Sequence, residues 1–337
     1  MLTGGISARR KPDASWTSTD EVRLIQSTLE SFRKQASSLN RESIMTVVGL
    51  LILMQLSGMM LANLISLLDR LTGIRWLVPI GIRPRVSWSL PLFFMAWIVS
   101  LILQLAVYSC LKMIPGIAGE DHHSMIAMIA VSGSNLIFIA GAPVVVGPGW
   151  RKGLQRIGLN GPDFARQTRI GIRVALLASP WVYAVNLTAN LVFHANPHEV
   201  MQMLNKGLDT FSMSLAVIGA VILAPAAEEI LFRGILLGGL IHKTSFKPAD
   251  QRRRLVQAAN VITSLFFGAL HMSAWPAPIG IFVLSLVLGK TYIVTGRLWP
   301  CIIAHSVFNF TGVLGMAAAV MVKKSSVVAF ILDVFPI

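Results

Sequence analysis

The stretch Ala224-Pro225-Ala226-Ala227-Glu228-Glu229-Ile230-Leu231-Phe232-Arg233-Gly234 lies inside an apolar run, Phe211 to Leu240, that is long enough to cross a bilayer. About 20 apolar residues cover the roughly 30 Å of hydrocarbon. Ionised side chains inside such a run cost about 2.5–3.5 kcal/mol each on insertion scales and are kept where they line a functional cavity. Glu229 and Arg233 are four apart, share one helix face and can pair. Glu228 is turned about 100° around the helix, so one guanidinium cannot neutralise both acids in the same way. One acid therefore stays available for chemistry. The structural alternative is an ion network that only locks two helices together, since such networks also perturb titration.

Two further segments extend the pattern. The sixth apolar run ends Phe267-Gly268-Ala269-Leu270-His271, and the eighth contains His305-Ser306-Val307-Phe308-Asn309, with His305 and Asn309 on one helix face. Taken singly, either histidine reads equally well as an interhelical hydrogen-bonding residue. Beside a glutamate pair on a third helix, the set reads as a catalytic or metal-binding site. Other polar residues carry less. His122 and His123 sit beside Glu120 and Asp121, and His194 and His198 flank Pro197, so both pairs read as loop residues. Arg173 snorkels to the interface, Asn186 and Asn190 read as helix-packing residues, and Gly234, Gly238 and Gly239 permit close helix approach.

The rest of the chain agrees with a membrane solvent. Of 337 residues, 54% are hydrophobic and 13% charged, against about 25% charged in soluble domains. Eight runs are candidate spans: Ile44 to Leu68, Trp88 to Leu111, Ser124 to Val146, Ile170 to Phe193, Phe211 to Leu240, Leu255 to His271, Ile279 to Val294 and Pro300 to Val322. The fold class expected is all-α, a polytopic transmembrane bundle of about eight spans. Its organisation is a polar tail (1–43), N-terminal spans (44–193), a core with the unusual polar residues (211–322) and a C-terminal tail (323–337). An amphipathic helix over Asp20 to Ala36 would lie on the membrane surface, and Ser326 to Ile337, too short to cross, would fold back along the interface. Cys110 and Cys301 lie in apolar runs and read as small core residues.

Net charge is +14, yet the Lys and Arg form short clusters between apolar runs rather than a stripe for nucleic acid, which is excluded as a partner. Their counts in successive connections are four, one, five, one, five, none and two, which places the odd connections in the cytoplasm. The seven basic residues of the tail argue for the opposite side, and the later alternation outweighs them. The polar first 43 residues, with seven Lys or Arg, are not expected to act as a cleavable signal peptide. In a bacterial cell the host membrane is expected to be the plasma (inner) membrane.

The three motifs resemble those of the CPBP family, the CAAX-protease and bacteriocin-processing membrane proteins. They are Glu228-Glu229 with Arg233, Phe267 with His271, and His305 with Asn309, present in order over about residues 211–322. The resemblance implies an intramembrane endopeptidase in which Glu228 and His271 activate a water, His305 and Asn309 stabilise the oxyanion, and Glu229 and Arg233 support them. The partners implied are the membrane and a peptide or membrane-protein substrate; the residues do not identify it or say whether it is prenylated.

Physical chemistry permits that division of labour. Peptide hydrolysis needs a base for the water and fixed donors for the developing oxyanion. A zinc alternative would use Glu228, His271 and His305 as ligands with an open position for water, but the chain has no His-Glu-x-x-His helix, so a cofactor-free mechanism ranks first. Two readings from other classes compete. A proton-coupled transporter would show inverted repeats, and the sequence has no convincing one. A non-catalytic scaffold or immunity protein would not need the intact set of Glu, His, His and Asn.

Overall fold

The computed structural model describes residues 89–114, 123–159, 163–193 and 210–321, together with Ser57 and Met60. All lie in one compact unit, Leu50–Ile337. They are helical, with no strand among the described residues. Helix α1 is Ser89–Lys112, α2 His123–Val146, α3 Trp150–Ile157 and α4 Phe164–Val192. Helix α5 is continuous over 210–243. Helix α6 is Ala249–Ala269, α7 Pro278–Thr295 and α8 Trp299–Met321.

Five helices are long and apolar enough to cross a membrane: Leu90–Lys112, Met125–Val146, Phe164–Val192, Ser212–Lys243 and Pro278–Thr295. The chain is thus a multi-pass membrane protein built as a helical bundle. The sixth and eighth expected runs also form helices, α6 and α8. Helix α6 carries Asp250, Arg252, Arg253 and Arg254 in its first turns, and the apolar part of α8, Trp299–Leu314, is shorter. The first expected run, both tails, His122, His194 and His198 lie outside the described residues.

Several boundaries differ from the sequence expectation, each for a local reason. The basic connection after α2 is not all loop: Trp150–Ile157 forms α3, ended by Gly158 in a left-handed conformation, φ 81°. Arg156 of α3 donates to the Val146 carbonyl at 2.7 Å and so caps α2. Helix α4 starts at Phe164, a turn and a half before the apolar run, because polar residues extend a helix into the interface without cost. His271, expected at the end of a span, lies two residues beyond α6, in a turn closed by His271 N–H to Gly268 O at 2.9 Å. Cys301 is buried as expected, whereas Cys110 is exposed on α1.

What holds the polar core in place is close helix packing. Helix α4 binds α8 through Tyr183, whose ring stacks on Phe308 with centroids 5.0 Å apart and whose hydroxyl lies 2.6 Å from Thr311 Oγ1. Helix α4 binds α7 where the fully buried Asn186 lies against Gly280, at a spot where any Cβ would collide with the amide. Asn186 is thus a packing residue between helices. Gly234 performs the service expected of it, since a Cβ there would come to 3.2 Å from Ile157 Cβ of α3.

Candidate active site

Helix α5 is not a uniform α-helix. It widens into π-helical turns over Gly219–Leu223 and Ile230–Leu237, with a short α segment, Ala224–Glu229, between them. Such bulges inside α-helices occur frequently at functional sites, and here they bracket the glutamate pair. Pro225 stands at the start of the α segment. A proline inside a helix gives up a backbone donor and crowds the carbonyl four residues before it, and a wider turn relieves that crowding.

Glu229 is fully buried and its Oε1 accepts two bonds. Arg233 Nη1 donates at 2.6 Å and His305 Nδ1 lies at 2.9 Å. Because Glu229 is the carboxylate paired with Arg233, the hydrogen of the second bond belongs to the imidazole, which fixes Nδ1 as a donor. Arg233, 2% exposed, is held on its other side by α7. Its Nη2 donates to Ser285 Oγ at 2.7 Å and to the Ser285 carbonyl at 3.1 Å. Its guanidinium also lies over the Phe267 ring, 4.9 Å from the centroid, an attraction that grows when water is excluded.

Glu228 stands apart from that pairing. Its side chain is 32% exposed, and its Oε2 lies 3.8 Å from His305 Nε2, which is too long for a direct hydrogen bond. The difference between the two acids, one buried and paired with Arg233 and one partly exposed, is what their positions around the helix predict. Glu229 Oε2 is buried without a donor among the described residues.

His271 comes to the site through Phe267. Its Nδ1 lies 2.8 Å from the Phe267 carbonyl, its ring 4.9 Å from the Phe267 ring, and Phe267 in turn packs edge-on against His305 at 6.0 Å. A carbonyl can only accept, so His271 Nδ1 carries hydrogen, and in the neutral ring the lone pair is on Nε2. Asn309, one turn along α8 from His305, donates from Nδ2 to the Ala220 carbonyl of α5 at 2.8 Å. The structure therefore joins Glu228, Glu229, Arg233 and His305 through one continuous set of contacts, links His271 to them through Phe267, and ties Asn309 to the backbone of the glutamate helix.

The zinc alternative would draw on this donor set. Both imidazoles anchor Nδ1 on oxygen, as metal-ligating histidines do. Among the described residues, however, no group of three or more His, Cys, Asp or Glu side chains is disposed to hold a metal ion.

Two participants escaped the sequence reading. Ser285 is one of four hydroxyl residues in an apolar helix, where most serines bond only to their own backbone. Phe267 stood in a motif but without a role, because only the fold brings Arg233 over its face.

Comparison with known proteins agrees on the same segment. Residues 210–311 match the family model described as type II CAAX prenyl endopeptidase Rce1-like. An uncharacterized protein of Mycoplasma capricolum subsp. capricolum is 30% identical over 117 residues, a match that covers 33% of this chain and 30% of the relative. No solved structure matches. The matched segment, 210–311, holds both glutamates, both histidines, Arg233 and Asn309.

Proposed function

We propose that the protein is a metal-free intramembrane endopeptidase in which Glu228 is the base that activates water. The observation that carries this reading is the inequality of the two glutamates: Arg233 and His305 Nδ1 both bond Glu229, whereas Glu228 is 32% exposed and stands 3.8 Å from His305 Nε2, beyond direct hydrogen-bond reach. A water beside Glu228 Oε2 and the free Nε2 of His271 gives one hydrogen to each acceptor and turns its lone pair outward. Glu228 takes the proton as the water oxygen attacks the scissile carbonyl. The same carboxyl then returns it to the leaving amine, so the proton count closes over the cycle.

The oxyanion needs donors, and the hydrogen bonds set a condition on His305. Its Nδ1 hydrogen is committed to Glu229, so Nε2 can donate only when the ring carries both protons. Asn309 supplies a second donor, since Nδ2 has two hydrogens and Ala220 takes one. The substrate class is a peptide or membrane-protein segment that reaches the opening beside Glu228, and the family name suggests prenylated CAAX peptides as the first probes. The plasma membrane is the proposed location.

The test compares membrane-derived peptides of cells expressing wild type and Glu228→Ala, alongside cleavage of a quenched prenylated CAAX peptide by the purified chain. Cleavage products present only with wild type support the reading. Equal products from both chains would refute it, and stoichiometric zinc lost together with activity in His271→Ala would overturn its metal-free form.

A further inference from the structure

Backbone carbonyls within the bilayer must find donors inside the protein, and Ala220 has lost its own. In the π-helical turn the Ala224 N–H reaches back five residues to the Gly219 carbonyl. The next bond of that pattern would run from residue 225 to Ala220. Residue 225 is proline and has no N–H to give. The Ala220 carbonyl is instead met by Asn309 Nδ2 of α8 at 2.8 Å, across 89 residues of sequence.

We propose that Pro225 is a positioning residue for Asn309. By withholding a hydrogen from Ala220 it leaves a carbonyl that pins one N–H of the Asn309 amide, and because the amide is planar the second N–H is thereby aimed. The same bond ties α8, which carries His305, to the turn just before Glu228. The catalytic half of this inference rests on the reading of Asn309 as an oxyanion donor. The hydrogen bond and its energetic coupling do not.

A four-member cycle in the purified full-length protein tests both halves: wild type, Pro225→Ala, Asn309→Ala and the double variant. Thermal midpoint and the kcat and KM for a quenched prenylated CAAX peptide are measured for each. The Pro225→Ala substitution restores an N–H that can reach Ala220. Asn309→Ala should therefore lower the midpoint by about 2–4 °C when Pro225 is present, the effect of an orphaned buried carbonyl, and change it little in the Pro225→Ala background. Pro225→Ala should keep or raise the midpoint yet lower kcat by about ten- to a hundredfold with KM retained, as misaimed catalytic groups do. In the Asn309→Ala background it should lower kcat no further.

Additive midpoint shifts would refute the coupling through Ala220. Full kcat in Pro225→Ala, or the same loss of kcat whether or not Asn309 is present, would refute the positioning role. A wild-type chain inactive on the peptide would overturn the catalytic half together with the peptidase reading, while the midpoint cycle would decide the bond by itself.

Discussion

Helices α1 and α7 are both long, apolar and able to cross a membrane, yet they solve opposite problems. The α1 window has mean hydropathy 2.3 and is 11% buried inside the protein, whereas the α7 window has mean hydropathy 1.7 and is 56% buried. The more apolar helix is the one that faces lipid. In water the order would be reversed, because burial there follows hydrophobicity. In a bilayer the lipid tails are as apolar as leucine, so helices associate through packing and polar contacts. Helix α7 accordingly contributes Gly280, Ser285 and Gly289 to its neighbours, and α1 presents Met95, Ile98, Val99, Ile102 and Leu105 outward.

This contrast predicts where substitutions act. The largest effect is expected at Glu228, where Glu228→Ala removes the proposed base and should lower turnover by about 10²–10⁴-fold. The protein should still fold, since Arg233 keeps Glu229 as its partner. Cleavage assays on variant and wild type matched for thermal midpoint check it. Loss of the fold instead would make Glu228 part of a structural network.

Arg233→Ala should act on stability first. It strips a fully buried carboxylate of its cation, and breaking a buried pair costs about 3–5 kcal/mol. Denaturation in mild detergent would measure it, and a variant as stable as wild type would show that His305 alone can hold Glu229. A smaller loss, about 1–2 kcal/mol, is expected for Ser285→Ala, which deletes one charge-assisted bond to Arg233 while the Ser285 carbonyl still accepts from it. If Ser285→Ala cost as much as Arg233→Ala, the hydroxyl rather than the carboxylate would be what fixes the guanidinium.

These positions were not equally legible in the sequence. The Glu229–Arg233 pair follows from a spacing of four on a helix, and the separateness of Glu228 from a rotation of one residue. The three motifs placed the site residues on α5, α8 and the end of α6. Helical periodicity assumes a regular helix, however, so it could not show the π-helical turns of α5 or the Ala220 carbonyl that Pro225 leaves open. It carried His271 to the end of a span, where the chain in fact turns two residues earlier. Ser285 left no trace because its partner is 52 residues away. Hydropathy found the spans but ranked α1 above α7, since it measures affinity for lipid and not involvement in the site.

The smallest effect tests the lipid-facing half directly. Leu105 is 66% exposed on α1, and in the membrane that exposure is to acyl chains both before and after the helices associate. Leu105→Ala therefore removes contacts with lipid that the unassociated helix also makes, and stability measured in bilayers or bicelles should change by less than about 0.5 kcal/mol. The attachment of α1 lies elsewhere, at Phe93, which is fully buried with its ring edge-on to Phe232 of α5 at 5.2 Å and tilted against Phe266 of α6 at 5.5 Å. Phe232 is the residue before Arg233, so this contact of α1 reaches α5 beside its ion pair. A Leu105→Ala loss above about 1 kcal/mol would mean that its outward face packs against something more ordered than lipid, and the division between a lipid-facing half and a site-bearing half would then have to be redrawn.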